Sequence, residues 1–413
     1  MRLYNRFARL ILLVVLSTVP QSAVAAPITV GDGTAASCTE VALQDALTAA
    51  GTAGGGTIRF ECGDHPVSVT LTTTLTVPND TRIDGRGVIT LDGTHTVRVV
   101  FVDRDTSVVL KDLSISNGTP AMGPELSGGG VYNKGTLTVY NSTFSGNHAG
   151  HLSPGGGIAN EGTLTVHNST FSGNGSLDAG GGIVNKGTVT VHNSIFSGNS
   201  AGFGGSGGGI FNEGTLTVHN STFSSNVSEA GGGILNAGTL SVNSSTFSGN
   251  DAEVGGGILN GGTLTVTNTL FSGNDSISGA DIFNSGIATV DNCTFSGRPF
   301  AGTVGGGINN GGTLSINNST ISSHQASDGG AIGNSGTLSI NNSLIAGNTA
   351  VGSSDGEGLG GGIYNTATLT VNNSTITRNI AGQDGGGIYT CCGGTVTFKN
   401  TSVTGNTPND IVP

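Results

Sequence analysis

The chain has no tryptophan and little charge: only 10% of its 413 residues are Asp, Glu, Lys or Arg. Lysine and arginine number 14 against 26 aspartates and glutamates, and they form no basic block. Phosphate contacts need clustered cations, so a nucleic-acid partner is not expected. Long apolar runs are missing too. None approaches the roughly 20 residues of a membrane-crossing helix, so no transmembrane segment is expected in the mature chain. Five cysteines are too few to build a fold from disulfides alone. Glycine, in contrast, occurs 74 times, a bias that on its own suggests low complexity. Yet 35% of the residues are hydrophobic and regularly spaced, so the chain must be read for repeats.

The first residues carry a leader pattern. Arg2, Arg6 and Arg9 are basic, Leu10 to Leu16 is apolar, and Ala23-Val24-Ala25 is a small-residue cleavage site. Residues 1–25 are read as a secretory signal peptide. Taking its three arginines away leaves 11 basic residues against 26 acidic ones, a net charge of −15. Export permits disulfides, and Cys38 with Cys62 is the preferred pair. Cys391 and Cys392 are adjacent, so a bridge between them is strained. Cys293 has no evident partner, and the odd count leaves at least one thiol free or bound to another chain.

From Gly128 the sequence reads GGGVYNKGTLTVYNSTFSGN, and the glycine cluster returns ten more times, up to Gly385, at intervals of 24 to 31 residues. The length varies mainly just before each cluster, which places insertions at one edge of a stack. In Thr136-Leu137-Thr138-Val139 polar and apolar residues alternate with a period of two, the mark of a strand. Each copy offers three short strands, Gly-Gly-Ile-x-Asn, Thr-Leu-Thr-Val and Ser-Thr-Phe-Ser, separated by Gly and Asn turns. That is one coil of an all-β right-handed parallel β-helix, with coils stacking about 4.8 Å apart.

Stacking makes columns. Four should point inward, beginning at Val131, Leu137, Val139 and Phe144. No coil can bury them alone, but neighbours form one continuous core. Asparagine columns beginning at Asn133, Asn141 and Asn147 are read as turn ladders joined along the axis. Ahead of the repeats, Val41–Ala50 has a helical pattern behind Thr39 as N-cap and is expected to cover one end. Strands are expected at Thr57–Glu61, Val67–Val77, Thr96–Val102 and Ser107–Ile115, with Val108, Leu110 and Ile115 aligned to Leu137, Val139 and Phe144. The expected organisation is 26–126 as cap and irregular coils, 127–406 as eleven repeat coils, and 407–413 as a tail that stops the pattern.

GGGV and GGGI paired with FSGN or FSSN resemble the GGA[ILV] and FxxN repeats of chlamydial polymorphic outer membrane proteins. More widely, residues 128–406 are similar to bacterial right-handed β-helix repeat proteins of the pectate-lyase-like superfamily. The resemblance implies the fold; among the functions found on it are adhesion, surface structure and polysaccharide cleavage. The chain departs from the chlamydial pattern in that nothing after Asn406 reads as a membrane barrel.

Catalytic residues are unassigned. Hydrolysis of a glycan needs two carboxylates about the scissile bond, while the resemblance implies a basic residue and acidic calcium ligands for a lyase. Acids such as Asp178, Glu229, Asp251, Glu253 and Asp275 gather at the loop edge without a recognisable motif, and read as solvated loop residues. His167, His192 and His219 stack on successive coils behind Tyr140 and are the candidate metal ligands. The competing view is a surface column of similar repeats that repels itself below about pH 6. No cofactor is implied, with Ca2+ at the acidic edge and Zn2+ at the histidines as minor alternatives. Lys134, Glu161, Lys186 and Glu213 alternate in sign as a surface ion-pair ladder. Outward Thr-x-Thr pairs resemble an ice-binding face, interrupted at Ser241, Ile287, Ser315 and Ser339. An apolar stripe beginning at Tyr132, Ala159 and Val184 either faces outward as a contact surface or lies under loops. The sequence thus points first to a secreted or cell-surface binding, adhesion or structural module working through a solenoid face, with an extracellular glycan or surface protein as partner. Second comes a polysaccharide lyase or glycoside hydrolase, and third an ice-binding face.

Overall fold

Leu137 and Val139 alternate with threonine because one side of their strand faces a dry interior and the other water. In a computed structural model of the chain, every copy but the last obeys that alternation. It describes residues 26–120, 127–150, 154–202, 204–297, 303–352 and 358–413; the leader at 1–25 lies outside them. The chain winds into a parallel β-solenoid of about 13 turns. All its paired strands are parallel, and each copy sits over the next without slippage: Leu137 faces Leu164, which faces Val189.

A coil has four strands rather than the three expected. In one copy these are Ile158–Asn160, Thr163–His167, Thr170–Ser172 and Gly175–Ser176. The second and third belong to one 27-stranded sheet that bends at Asn168, held in the left-handed region at φ 49. The first strands build a 14-stranded sheet. The fourth, two to four residues long, builds the smaller sheets of six and three strands in the segment expected to be loop. At the corner before the second strand a Cβ on Gly162 would strike the carbonyl oxygen of Gly135 in the coil below, so glycine recurs there.

The four inward columns are dry, nearly every member being 0–2% exposed, and each such side chain contributes roughly 1.5–3 kcal/mol of burial. Phe144 through Phe295 stack face to face with ring centroids 4.6–5.0 Å apart. Beside them Asn133 Nδ2 donates to Asn160 Oδ1 at 2.7 Å, and the same bond repeats coil by coil to Asn365. Apart from Asn133 Oδ1 at the start of the ladder, which has no partner among the described residues, buried amides that would otherwise cost free energy are satisfied by their own repeats.

At the N-terminal end α1 (Glu40–Ala53) covers the core with Leu43, Ala46, Leu47 and Ala50. Thr39 caps it, accepting a hydrogen bond from Ala42 N at 3.2 Å. Glu40 ties it to the first coil by accepting from the backbone and hydroxyls of Thr72 and Thr73. Cys38 and Cys62 are joined here, their Cα atoms 5.8 Å apart. A twelve-residue strand at Thr81–Asp92 was not anticipated. Its pattern is broken by Gly85-Arg86-Gly87, where the register shifts and Arg86 adopts φ 55; read linearly, that break looks like a turn. At the other end the tail does not stop the pattern, since Ile411–Val412 pairs with Ile388–Tyr389. In this last copy Val396 and Val403 are half-buried and Phe398 is 40% exposed.

Candidate functional site

Period two puts Arg59 on the outer side of its strand, between the buried Ile58 and Phe60. Parallel pairing then carries one outward column across seven coils. Arg59 faces Asp84, Asp84 faces Lys111, and Lys111 faces Tyr140. His167, His192 and His219 continue the line.

The first part of the column opens into a hollow of ≈ 400 Å³ lined by Arg59, Glu61, Asp84, Arg86, Lys111 and Asp112. Asp84 is 5% exposed and lies 3.8 Å from Arg82 Nη2 and 3.7 Å from Lys111 Nζ. Lys111 also pairs with Asp112, whose other oxygen accepts from Asn141 Nδ2 at 2.9 Å. Burial works to raise the Asp112 carboxyl, but the Lys111 and Asn141 hydrogen bonds and the Lys111 charge outweigh it, holding the group below the ordinary carboxylate range. The bulge brings in Arg86, whose Nη1 lies 3.2 Å from Glu61 Oε2 and donates to Phe60 O at 3.4 Å. A carboxylate held ionised is a poor proton donor. Asp112 therefore offers a fixed charge and hydrogen-bond acceptors in preference to a general acid.

The second part is a stack of half-buried rings. Tyr140, His167, His192 and His219 lie 4.8, 5.0 and 5.2 Å apart with planes within 9° of parallel. His192, in the middle, has its imidazole held below its ordinary pKa by lost hydration and by the charges of His167 and His219. A shared metal needs ring nitrogens whose in-plane lone pairs converge on it, whereas these rings lie face to face. Among the described residues no group of three or more His, Cys, Asp or Glu is placed to hold a metal ion.

Glu161 accepts a hydrogen bond from Tyr132 Oη at 2.7 Å, and Lys134 Nζ lies 4.9 Å from the Tyr132 ring centroid. An aromatic ring thus takes part at the start of the expected ion-pair ladder. The apolar stripe divides: Tyr132, Ala159 and Val184 form a small buried cluster, while Phe211, Leu235, Leu259 and Phe283 are half-buried. On the threonine face Ile287 protrudes, 60% exposed. At the acidic edge Asp251 and Asp275 lie in register on adjacent coils.

The charged hollow was missed in the sequence because it belongs to the irregular coils. A signal was present: with Val108 and Leu110 under Leu137 and Val139, Lys111 falls under Tyr140. Setting Ile83 under Leu110 then brings Asp84 to Lys111.

Comparison with known proteins agrees with the architecture. The family described as right handed beta helix region matches residues 90–271 and 257–412. No curated protein matches the chain. Among solved structures it is similar to PfbA, a surface adhesin of Streptococcus pneumoniae, at 14% identity and a TM-score of 0.36, over 94% of this chain and 93% of that one. It is also similar to the A-module of the Azotobacter vinelandii mannuronan C-5 epimerase AlgE4, at 13% identity and a TM-score of 0.41, over 93% of this chain and 95% of that one. Among the described residues no helix is long and apolar enough to cross a membrane. The chain belongs to the right-handed β-helix family.

Proposed function

We propose that the chain is an exported binding protein that holds an extended glycan along the outward column from Arg59 to His219. The observation that carries this is the column itself: a charged hollow and a ring stack in one line on a rigid sheet. Sites built on strands are pre-organised, so little ordering free energy is lost on binding. Arg59 and Arg86 supply planar hydrogen-bond donors, and Tyr140 supplies an apolar ring with a polar tip. The test is binding of the full chain to a panel of acidic and neutral polysaccharides. Arg86→Ala and Tyr140→Ala are each expected to weaken the best ligand at least about tenfold, or roughly 1.4 kcal/mol. Unchanged affinity in both variants would remove the column as the binding surface.

A second reading rests on the gathering of acids and bases in one hollow, which an enzyme acting on polysaccharides needs. Incubation with pectin and alginate separates the two. Release of unsaturated sugars by the parent chain, lost in Lys111→Ala, would establish catalysis; bound but intact polymer supports the binding function.

A further inference from the structure

In the ten earlier copies, two residues separate the Ile-x-Asn strand from the strand that follows it. In the last copy four residues do, Cys391-Cys392-Gly393-Gly394, between Ile388–Thr390 and Thr395–Lys399. The asparagine ladder ends at this corner: Thr390 stands in its place, and its buried Oγ1 has no hydrogen-bond partner among the described residues. The insert turns back on itself, with Gly394 N donating to Cys391 O at 2.9 Å. Cys392 and Gly393 both lie in the left-handed region, at φ 62 and 88. The turn brings the sulfurs of Cys391 and Cys392 to 2.6 Å, and Tyr364 Oη lies 3.4 Å from Cys391 Sγ. Cys392 is exposed and Cys391 half-buried. The other cysteines are not competitors. Cys38 and Cys62 are joined to each other. Cys293 is buried, lies 3.2 Å from Asp291 O, and is pushed up to about 11 chiefly by that burial.

We propose that Cys391 and Cys392 are a redox modification site that closes to a vicinal disulfide and reopens. The co-reactant is a low-molecular-weight disulfide. The Cys392 thiolate, its proton gone to solvent, attacks one sulfur of that disulfide and expels a thiolate, leaving a mixed disulfide on Cys392. The Cys391 thiolate then attacks Cys392 Sγ and expels the second small thiolate. Two cysteine thiols become one disulfide, and one small disulfide becomes two small thiols. Neighbouring Cα atoms lie about 3.8 Å apart across a trans peptide, closer than the roughly 4.4–6.8 Å of ordinary disulfides, so the bridge is constrained. A constrained, exposed bond is the kind that small thiols reopen.

The test equilibrates the full chain in graded mixtures of glutathione and glutathione disulfide, blocks free thiols with iodoacetamide, and weighs the peptide that spans 391–392. The expected result is a passage from a peptide carrying two blocked thiols to an unblocked one two hydrogens lighter than the free dithiol, while the Cys38–Cys62 bond stays closed. In Cys392→Ser, Cys391 should be recovered blocked or carrying glutathione. Two blocked thiols in the most oxidising mixture would overturn the proposal. So would a bond closed at every ratio, or a covalent dimer through either cysteine on a non-reducing gel.

Discussion

At single positions the solenoid is governed by columns, and a buried exception is informative. In the third asparagine ladder, Asn147 to Asn274 hand the same bond from coil to coil. The next member would be Arg298, outside the described residues, and the one after is His324. Asp281, in a position that is glycine in most copies, spans the gap: Oδ1 accepts from Asn274 Nδ2 at 2.9 Å and Oδ2 lies 2.8 Å from His324 Nε2. Both side chains are 1% exposed. Removing one partner strands a buried polar or charged group, so His324→Ala is expected to cost about 3–5 kcal/mol in urea denaturation. Asp281→Gly/His324→Asn restores the majority residues and should recover most of that loss; equal destabilisation in both would contradict the account. His192 makes a second case. Its folded pKa is depressed, so as pH falls through about 6.5 the unfolded chain takes a proton that the native site declines. The stability it contributes is thus present above that pH and lost below it, until the native ring also protonates. Denaturation midpoints at about pH 7.5 and about pH 5.5 should fall more in the parent than in His192→Asn. Identical pH dependence would mean the ring stack is not titrating.

At the scale of elements, the repeat strands need their neighbours, whereas α1 also depends on its own sequence. Thr39 and Gly54 frame it, and Gly54 at φ 79 donates its N–H to Gly51 O. Loss of the cap in Thr39→Ala is expected to lower stability by about 1 kcal/mol and to quicken amide exchange in Ala42–Leu47. Exchange that quickens instead in the distant coils would show that the helix does not act as a local cover. Strand prediction succeeded in the repeats, as in Thr163–His167, whereas the expected run Val67–Val77 forms two strands, Val67–Thr70 and Leu75–Thr76, and only Val100–Val102 of Thr96–Val102 is strand. It failed for the fourth strand, where pairs such as Gly175–Ser176 are too short to display a period. It failed also at Thr81–Asp92, where a bulge interrupts Ile83 and Ile89.

At the scale of the molecule, the core was legible because each coil repeats the same four inward residues; Leu137, Leu164 and Val189 are in register in space as in text. The charged hollow was less so, since Arg59, Asp84 and Lys111 have no repeat around them and meet only through pairing. The ring stack was visible as a column, but its face-to-face geometry follows from side-chain packing that spacing alone does not convey. The central claim is that copies lie directly over one another, and spin-label distances between outward positions test it most directly. Thr138 and Ser241 are four coils apart and Thr138 and Ser339 are eight. At about 4.8 Å per coil, backbone separations of roughly 19 and 38 Å are predicted. Separations that fail to double, or a broad distribution without a maximum, would contradict the stacked solenoid.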